Sequence, residues 1–241
     1  MKWFAVLILL MAVRSCDQLP GEVDGFVARQ YSHSGRTIPY RLFIPAGYDA
    51  SQQYPVVVWL HGAGGVGTDN VLQIKGDQIP GTRIWTKPEN LAQHPAFVVV
   101  PQTSGRWPAD QLSMVPGILE SLKSEFPIDP NRMYVLGQSI GGEAAWKLVT
   151  DNPHLFAAAI FVCSAGSRIS RASSVVDLPI WAFQGSEDDP DFVAATRGMI
   201  QAIRKAGGNP RYTEYKGAGH DIWDRVFKEP ELVEWLFAQH R

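Results

Sequence analysis

The chain has 241 residues, 45% hydrophobic and 11% aromatic, enough to bury the core of one α/β domain and incompatible with a disordered chain. Its 22 basic and 24 acidic residues leave a net charge of −2, with no basic run able to track phosphates, which argues against a nucleic-acid partner. Two cysteines 147 positions apart, with no His-Glu-x-x-His or Cys-x-x-Cys string, exclude a disulfide framework and supply no structural metal site.

The chain opens with Lys2, an apolar run over residues 3–13, then Arg14-Ser15-Cys16. The run is too short to span a bilayer and fits the core of a signal peptide. Residues 1–15 are therefore expected to be removed on export, which takes Lys2 and Arg14 with them and moves the net charge from −2 to −4. Two outcomes are open: free secretion after a cut at Ser15, or acylation of Cys16 and attachment to a membrane, a reading that Arg14 fits poorly. A Cys16–Cys163 disulfide is conceivable in that setting, but Cys16 heads a polar tether (residues 16–24) and Cys163 ends an apolar run. The folded domain is expected over residues 25–241.

Strands are expected at 26–32 and 38–45, a hairpin joined by His33-Ser34-Gly35-Arg36. The next, 55–60, is a continuous apolar β-branched run of the kind buried on both faces of a parallel sheet. Further strands are expected at 96–100, 132–136, 156–162, 178–183 and, more weakly patterned, 211–215. Helices are expected at 111–126, 142–150, 192–206 and 231–239, the third with apolar residues at 3–4 spacing and a stop at Gly207-Gly208. This alternation predicts a mostly parallel, doubly wound sheet of about eight strands with helices on both faces, and chemistry at the carboxyl ends of the strands.

Gly137-Gln138-Ser139-Ile140-Gly141-Gly142 follows one such strand and opens a helix. A sharp strand-to-helix turn needs small flanking residues because its apex side chain is pushed outward, here a serine at a helix N-terminus that favours developing negative charge. A glycine-rich turn capped by serine would look the same in isolation. A nucleophilic serine needs a base, and the base an orienting carboxylate. His220 lies just beyond the last strand. His33 and His94 fall in surface-type turns, His154 follows a helix stop and His240 sits at the terminus, which leaves His61 as the competitor. Gln184-Gly185-Ser186-Glu187-Asp188-Asp189 follows the strand at 178–183; Asp188 is the preferred acid, with Asp189 as the alternative and helix capping as the competing role. The order Ser, acid, His matches a hydrolase elbow.

Leu60-His61-Gly62-Ala63-Gly64-Gly65 lets backbone amides approach a substrate oxygen, which assigns oxyanion donors to Ala63, with Gly64 as its alternative, and to Ile140. The same stretch contains a literal Gly-x-Gly-x-x-Gly, as in a dinucleotide-binding turn. Gly76, Pro80 and Gly81 interrupt the helix that a pyrophosphate would need, and no acidic residue ends the following strand, so no cofactor is expected.

The strings "PYRLFIPAGYD", "LHGAGGVGTDN", "FPIDPNRMYVLGQSIGGEAAW", "LFAAAIFVCSAG", "WAFQGSEDD" and "RKAGGNPRYTEYKGAGHDIWD" resemble the α/β-hydrolase superfamily. Within it they are similar to compact exported esterases of the polyhydroxybutyrate depolymerase-like and predicted-peptidase (dienelactone hydrolase-like) group, from about residue 38 to the end. The resemblance implies Ser139 as nucleophile, Asp188 as acid, His220 as base and a carboxylic-ester hydrolase without cofactor. Two departures stand out: Gln184-Gly185 where relatives carry His-Gly, and Gln138-Ser139-Ile140 where Leu-Ser-Met is commoner. A prolyl-oligopeptidase-type peptidase, for which no propeller-sized domain is present, and a non-catalytic binding protein on the same fold are the alternatives.

Only residues 164–177 separate Cys163 from the next strand, too few for a crossover helix and a large lid. An open cleft is expected, walled by the 68–94 connection with Trp85, by Ser104-Gly105-Arg106-Trp107 and by Trp223. Trp107 and Trp223 are the expected substrate-binding side chains, unless they only pack the loops. An open aromatic rim suits short-acyl, acetyl or hydroxycinnamoyl esters, small or polymer-borne.

Overall fold

The computed structural model describes residues 21–241. Eight strands, β1 (Phe26–His33), β2 (Arg36–Phe43), β3 (Tyr54–Leu60), β4 (Phe97–Pro101), β5 (Ile128–Gln138), β6 (Ala158–Val162), β7 (Ile180–Gly185) and β8 (Arg211–Tyr215), form one sheet in the order β1-β2-β4-β3-β5-β6-β7-β8. The hairpin strand β2 runs antiparallel to β1 and β4, and every pair from β4 to β8 is parallel. Among the described residues eight α-helices accompany the strands: α1 (Ile79–Arg83), α2 (Pro88–Gln93), α3 (Ala109–Leu112), α4 (Val115–Glu125), α5 (Ile140–Asp151), α6 (Pro190–Lys205), α7 (Trp223–Val226) and α8 (Leu232–Phe237).

The wholly buried β3 shows why the sequence reads as it does. Alternate residues face opposite sides of a strand, so Val56, Val58 and Leu60 enter one core while Val57 and Trp59 enter the other. The first core receives Ile118 and Leu122 of α4, Trp146 of α5 and Ile200 and Ile203 of α6; the second receives Val226 of α7 and Leu232 and Leu236 of α8. Trp146 stacks flat on Phe161 with ring centroids 3.5 Å apart.

Three expectations are corrected. The single helix expected at 111–126 is two, α3 and α4, because Pro116 is tolerated only in the first turn and so restarts the helix. The strand expected at 132–136 extends over 128–138, pairing with β3 and β6 to its very end. The 68–94 connection is not a cleft wall built on Trp85: that indole is wholly buried, donates to the Gly81 carbonyl at 2.8 Å and sets its edge on Phe237.

Packing also begins before residue 25. Val23 bridges to Phe26, Asp24 pairs with Lys75 and Arg83, and the Gly21 carbonyl accepts from the buried Arg41 guanidinium. The signal segment, Cys16 and the rest of the tether lie outside the described residues.

β3 sends its chain back to β4 on one side while its other neighbour is β5, so the strand order switches beside the carboxyl ends of β3 and β5, where a ligand crevice opens in such sheets. Ala63, Ser139, Ile140, Asp188 and His220 follow the carboxyl ends of β3, β5, β7 and β8 within five residues, whereas Trp107 and Trp223 lie further along the loops after β4 and β8.

Candidate active site

Ser139 stands between β5 and α5 with φ +53° and ψ −124°, a conformation that costs a non-glycine residue on the order of 1–3 kcal/mol. Close packing holds it there. A Cβ at Gly137 would strike the Gly141 carbonyl, one at Gly141 would strike the carbonyls of Leu60 and His61, and one at Gly142 would strike the Ser164 side chain. The small residues let α5 abut β3 and β5 while the serine is turned outward, its own amide donating to Val162 O at 2.8 Å.

Ser139 Oγ lies 3.0 Å from His220 Nε2, and His220 Nδ1 lies 2.8 Å from Asp188 Oδ2 and 2.9 Å from Oδ1. Asp188 is buried, and its carboxylate accepts further from the Asp189 amide at 2.7 Å and from Gln184 Nε2 at 2.6 Å. Asp189, the alternative acid, caps α6 by accepting from the Asp191 amide. The loop ending β7 and the loop ending β8 meet because Gly185 has no side chain; a Cβ there would strike the carbonyls of Ala218 and Gly219. The imidazole is about one-third exposed, its side chain 37% accessible. Phe192 and Trp223 flank it at ring-centroid distances of 5.7 and 5.2 Å, the latter edge-on.

The competing histidine has a different task. His61 is wholly buried, its Nδ1 donates to Gly62 O at 2.8 Å, and its Nε2 accepts from the Thr103 amide at 3.2 Å. Burial pushes its pKa down to about 4, the Gly62 carbonyl and Asp77 carboxylate opposing, so it is neutral at physiological pH. It braces the loop that starts with the 3-10 turn Ala63–Gly65, whose other support is the Gly62 amide donating to Gln78 Oε1. Ala63 and Gly64 are exposed beside this brace. Ile140, as the first residue of α5, has an amide with no partner inside the helix.

Trp107 and Trp223, expected at the rim, are only 3% and 8% exposed. Trp107 is turned inward: its ring lies tilted by 34° against His61 with centroids 4.7 Å apart, and it donates from Nε1 to His61 O at 3.0 Å, in a backbone with φ +54°. Phe192 was missed; its place in the apolar stripe of α6 reads as core, yet it is half-buried beside His220. Cys163 is a free, buried thiol after β6, its pKa pushed up by burial, with Sγ, Asp188 and His220 ligand atoms within 4.8 Å of one another. Cys16, the other half of the conceivable disulfide, lies outside the described residues.

Sheet order and crossover pattern define the α/β-hydrolase fold. The Esterase family model matches residues 32–230, and the chain belongs to that family of carboxylic-ester hydrolases. It is 28% identical over 195 residues to a probable feruloyl esterase C of Aspergillus niger, covering 78% of this chain and 68% of that one. A counterpart in Aspergillus terreus is 30% identical over 131 residues, 53% of this chain and 46% of the other. Among solved structures, a thermostable esterase superposes with a TM-score of 0.85 at 35% identity, covering 90% of this chain and 64% of that one. The feruloyl esterase module of Clostridium thermocellum, solved with sinapinate, superposes with a TM-score of 0.68 at 15% identity over 89% of this chain and 88% of that module, a likeness of fold. No helix among the described residues is long and apolar enough to cross a membrane.

Proposed function

We propose that the protein hydrolyses carboxylic esters through Ser139, His220 and Asp188 by way of an acyl-enzyme, with short-acyl, acetyl or hydroxycinnamoyl esters, free or polymer-borne, as substrates. The observation that carries this is the unbroken hydrogen-bonded line from Ser139 Oγ through His220 to Asp188 at the end of three different strands. His220 Nε2 takes the serine proton as Oγ attacks the acyl carbon, then returns it to the leaving alkoxide; Asp188 holds Nδ1–H and offsets the charge of the imidazolium. The Ala63 and Ile140 amides face the tetrahedral oxyanion. Water repeats the cycle on the acyl-enzyme.

The substrate class rests on the rim. Between β6 and β7 the chain makes one short 3-10 segment, Ile169–Val175, with no lid helix, and the half-buried ring of Phe192 stands beside the base. A half-buried aromatic ring beside the base suits a planar hydroxycinnamoyl group, the class named in the Aspergillus relatives. Trp223 supports His220 edge-on, and Trp107 acts on substrate through His61 and the oxyanion loop rather than by broad contact. The domain reading remains a leader at 1–15, a tether at 16–24 and a catalytic domain at 25–241, with export to the periplasm, a lipid anchor at Cys16 or free secretion. Intact mass of protein from its native host separates these: acyl mass on a chain starting at Cys16 means an anchored form, and an unmodified start means secretion.

Ser139→Ala should abolish turnover of p-nitrophenyl acetate and methyl ferulate, and a serine-directed phosphonate should label only Ser139. Unchanged turnover in that variant refutes the mechanism, and a rate maximum on long-chain triglycerides with activation at an oil interface refutes the substrate class.

A further inference from the structure

Behind the acid lies a buried polar chain that the proposed chemistry does not use. Gln184, the penultimate residue of β7, is wholly buried; its Nε2 donates to Asp188 Oδ2 at 2.6 Å and its Oε1 lies 3.1 Å from Thr196 Oγ1. Thr196, buried on α6, also reaches the Ser164 carbonyl at 2.5 Å. We infer that Gln184 is a positioning residue for the triad, fixing the Asp188 carboxylate square to His220, and that the Thr196 hydroxyl sets which way its carboxamide faces. The inference rests on the triad reading of the preceding subsection.

A carboxylate only accepts hydrogen bonds, so the amide must present its NH₂ to Asp188 and its oxygen to Thr196. The threonine has one proton for two acceptors. Donated to Gln184 Oε1, it locks the amide in the orientation that serves Asp188; donated to Ser164 O, it leaves an oxygen that would accept from a flipped amide and turn Oε1 against the carboxylate. Asp188 draws the NH₂ to itself, which leaves Oε1 to take the threonine proton in competition with Ser164 O, and every link is buried, where a hydrogen bond is strong and an unpaired group is costly. With the Asp189 amide on Oδ1 and Gln184 on Oδ2, the carboxylate is gripped at both oxygens and cannot rotate away from Nδ1. The charged and titratable groups around this chain are the Cys163 thiol from β6, Glu187 and Asp189 on the acid loop, and His220 with its neighbour Asp221.

Three variants test this. Gln184→Leu should lower kcat about tenfold or more while KM stays within about twofold, because substrate contacts are untouched and only the alignment of the acid is lost. Thr196→Val, nearly the same shape, should lower kcat about threefold by freeing the amide to flip. Gln184→Glu keeps the shape and puts two carboxyl groups together, which share one proton. While that proton is held, the introduced carboxyl donates as the amide did; once it is lost with rising pH, like charges meet and turnover falls. The kcat profile of Gln184→Glu should therefore gain an alkaline limb that the parent enzyme lacks. A merely structural glutamine would lower activity equally at all pH values. A folded Gln184→Leu with kcat within about twofold of the parent, or a Gln184→Glu profile parallel to the parent's, overturns the proposal. Should Gln184→Leu fail to fold, the Gln184→Glu profile and Thr196→Val decide. The downfield proton resonance of the His220 Nδ1–H, read in inactive Ser139→Ala protein with and without Gln184→Glu, reports the grip without catalysis. An unmoved resonance overturns the inference, whereas loss of the triad reading shows up separately as turnover surviving in Ser139→Ala.

Discussion

His61 should make the protein sensitive to mild acid, and the sensitivity should be removable. Burial depresses its pKa to about 4 from a reference of 6.5. Between those values the unfolded chain binds a proton that the folded protein refuses, so stability falls as pH falls: the contribution is whole above about 6.5 and gone below about 4. A gap of about 2.5 pH units at 1.36 kcal/mol each amounts to about 3 kcal/mol, a large share of an ordinary domain's stability. Urea midpoints at fixed ionic strength from pH 7 to pH 4 measure it. The parent should lose about 3 kcal/mol more over that range than His61→Gln, which is less stable at pH 7 but has nothing to titrate at this position. Parallel curves for the two proteins would refute the reasoning. Activity should fail together with stability, because a charged ring would turn an N–H against the Thr103 amide and release the loop carrying Ala63.

Gly185→Ala should cost about 1–3 kcal/mol and reduce kcat more than KM, since its methyl pushes on the Ala218 and Gly219 carbonyls that carry His220; thermal melting and steady-state kinetics check both. Trp146→Ala, removing the indole stacked on Phe161 about two turns along α5 from the serine, should cost about 3–5 kcal/mol in a denaturant titration while leaving KM of the folded fraction unchanged. Phe192→Ala should raise KM for methyl ferulate severalfold with little effect on p-nitrophenyl acetate, and equal effects on both esters would remove the ring from the aryl site.

The strands were legible because a strand buried on both faces must be apolar throughout, and 55–60 and 156–162 are. The Ser139 and Asp188 positions were legible for a related reason: each sits where a buried strand gives way abruptly to small or polar residues, whereas His220 follows the half-exposed edge strand β8 and was legible from its glycine-flanked loop and its place after the acid in chain order. The loops were opaque. Trp85 and Trp107 lie among Gly, Pro, Thr and Ser, a context that reads as exposed, yet both indoles fold inward to carbonyls that no local pattern announces, Gly81 O and His61 O. Phe192 failed the other way, since 3–4 spacing marks the buried stripe of a helix but not the turn at which the stripe runs out beside a cleft. Gln184 carried a signal, a glutamine where the resemblance implies a histidine, whose meaning appears only once Thr196 and Asp188 stand on either side of it.

Ser139 and the loop that carries Ala63 belong to one mechanical unit. The strained backbone at Ser139 persists because Gly141 lies against the Leu60 and His61 carbonyls, leaving α5 no room to relax toward β3. His61 is itself fixed on three sides, by the Gly62 carbonyl, the Thr103 amide and the Trp107 indole, whose own left-handed backbone that hydrogen bond helps to sustain. Gly141, two residues after Ser139, and the Trp107 indole thus both bear on the His61 carbonyl, the first by close packing and the second by a hydrogen bond. A change that loosens either should therefore displace both the serine and the Ala63 amide, and substitution at Trp107 should act on kcat for every ester alike rather than on the choice among them.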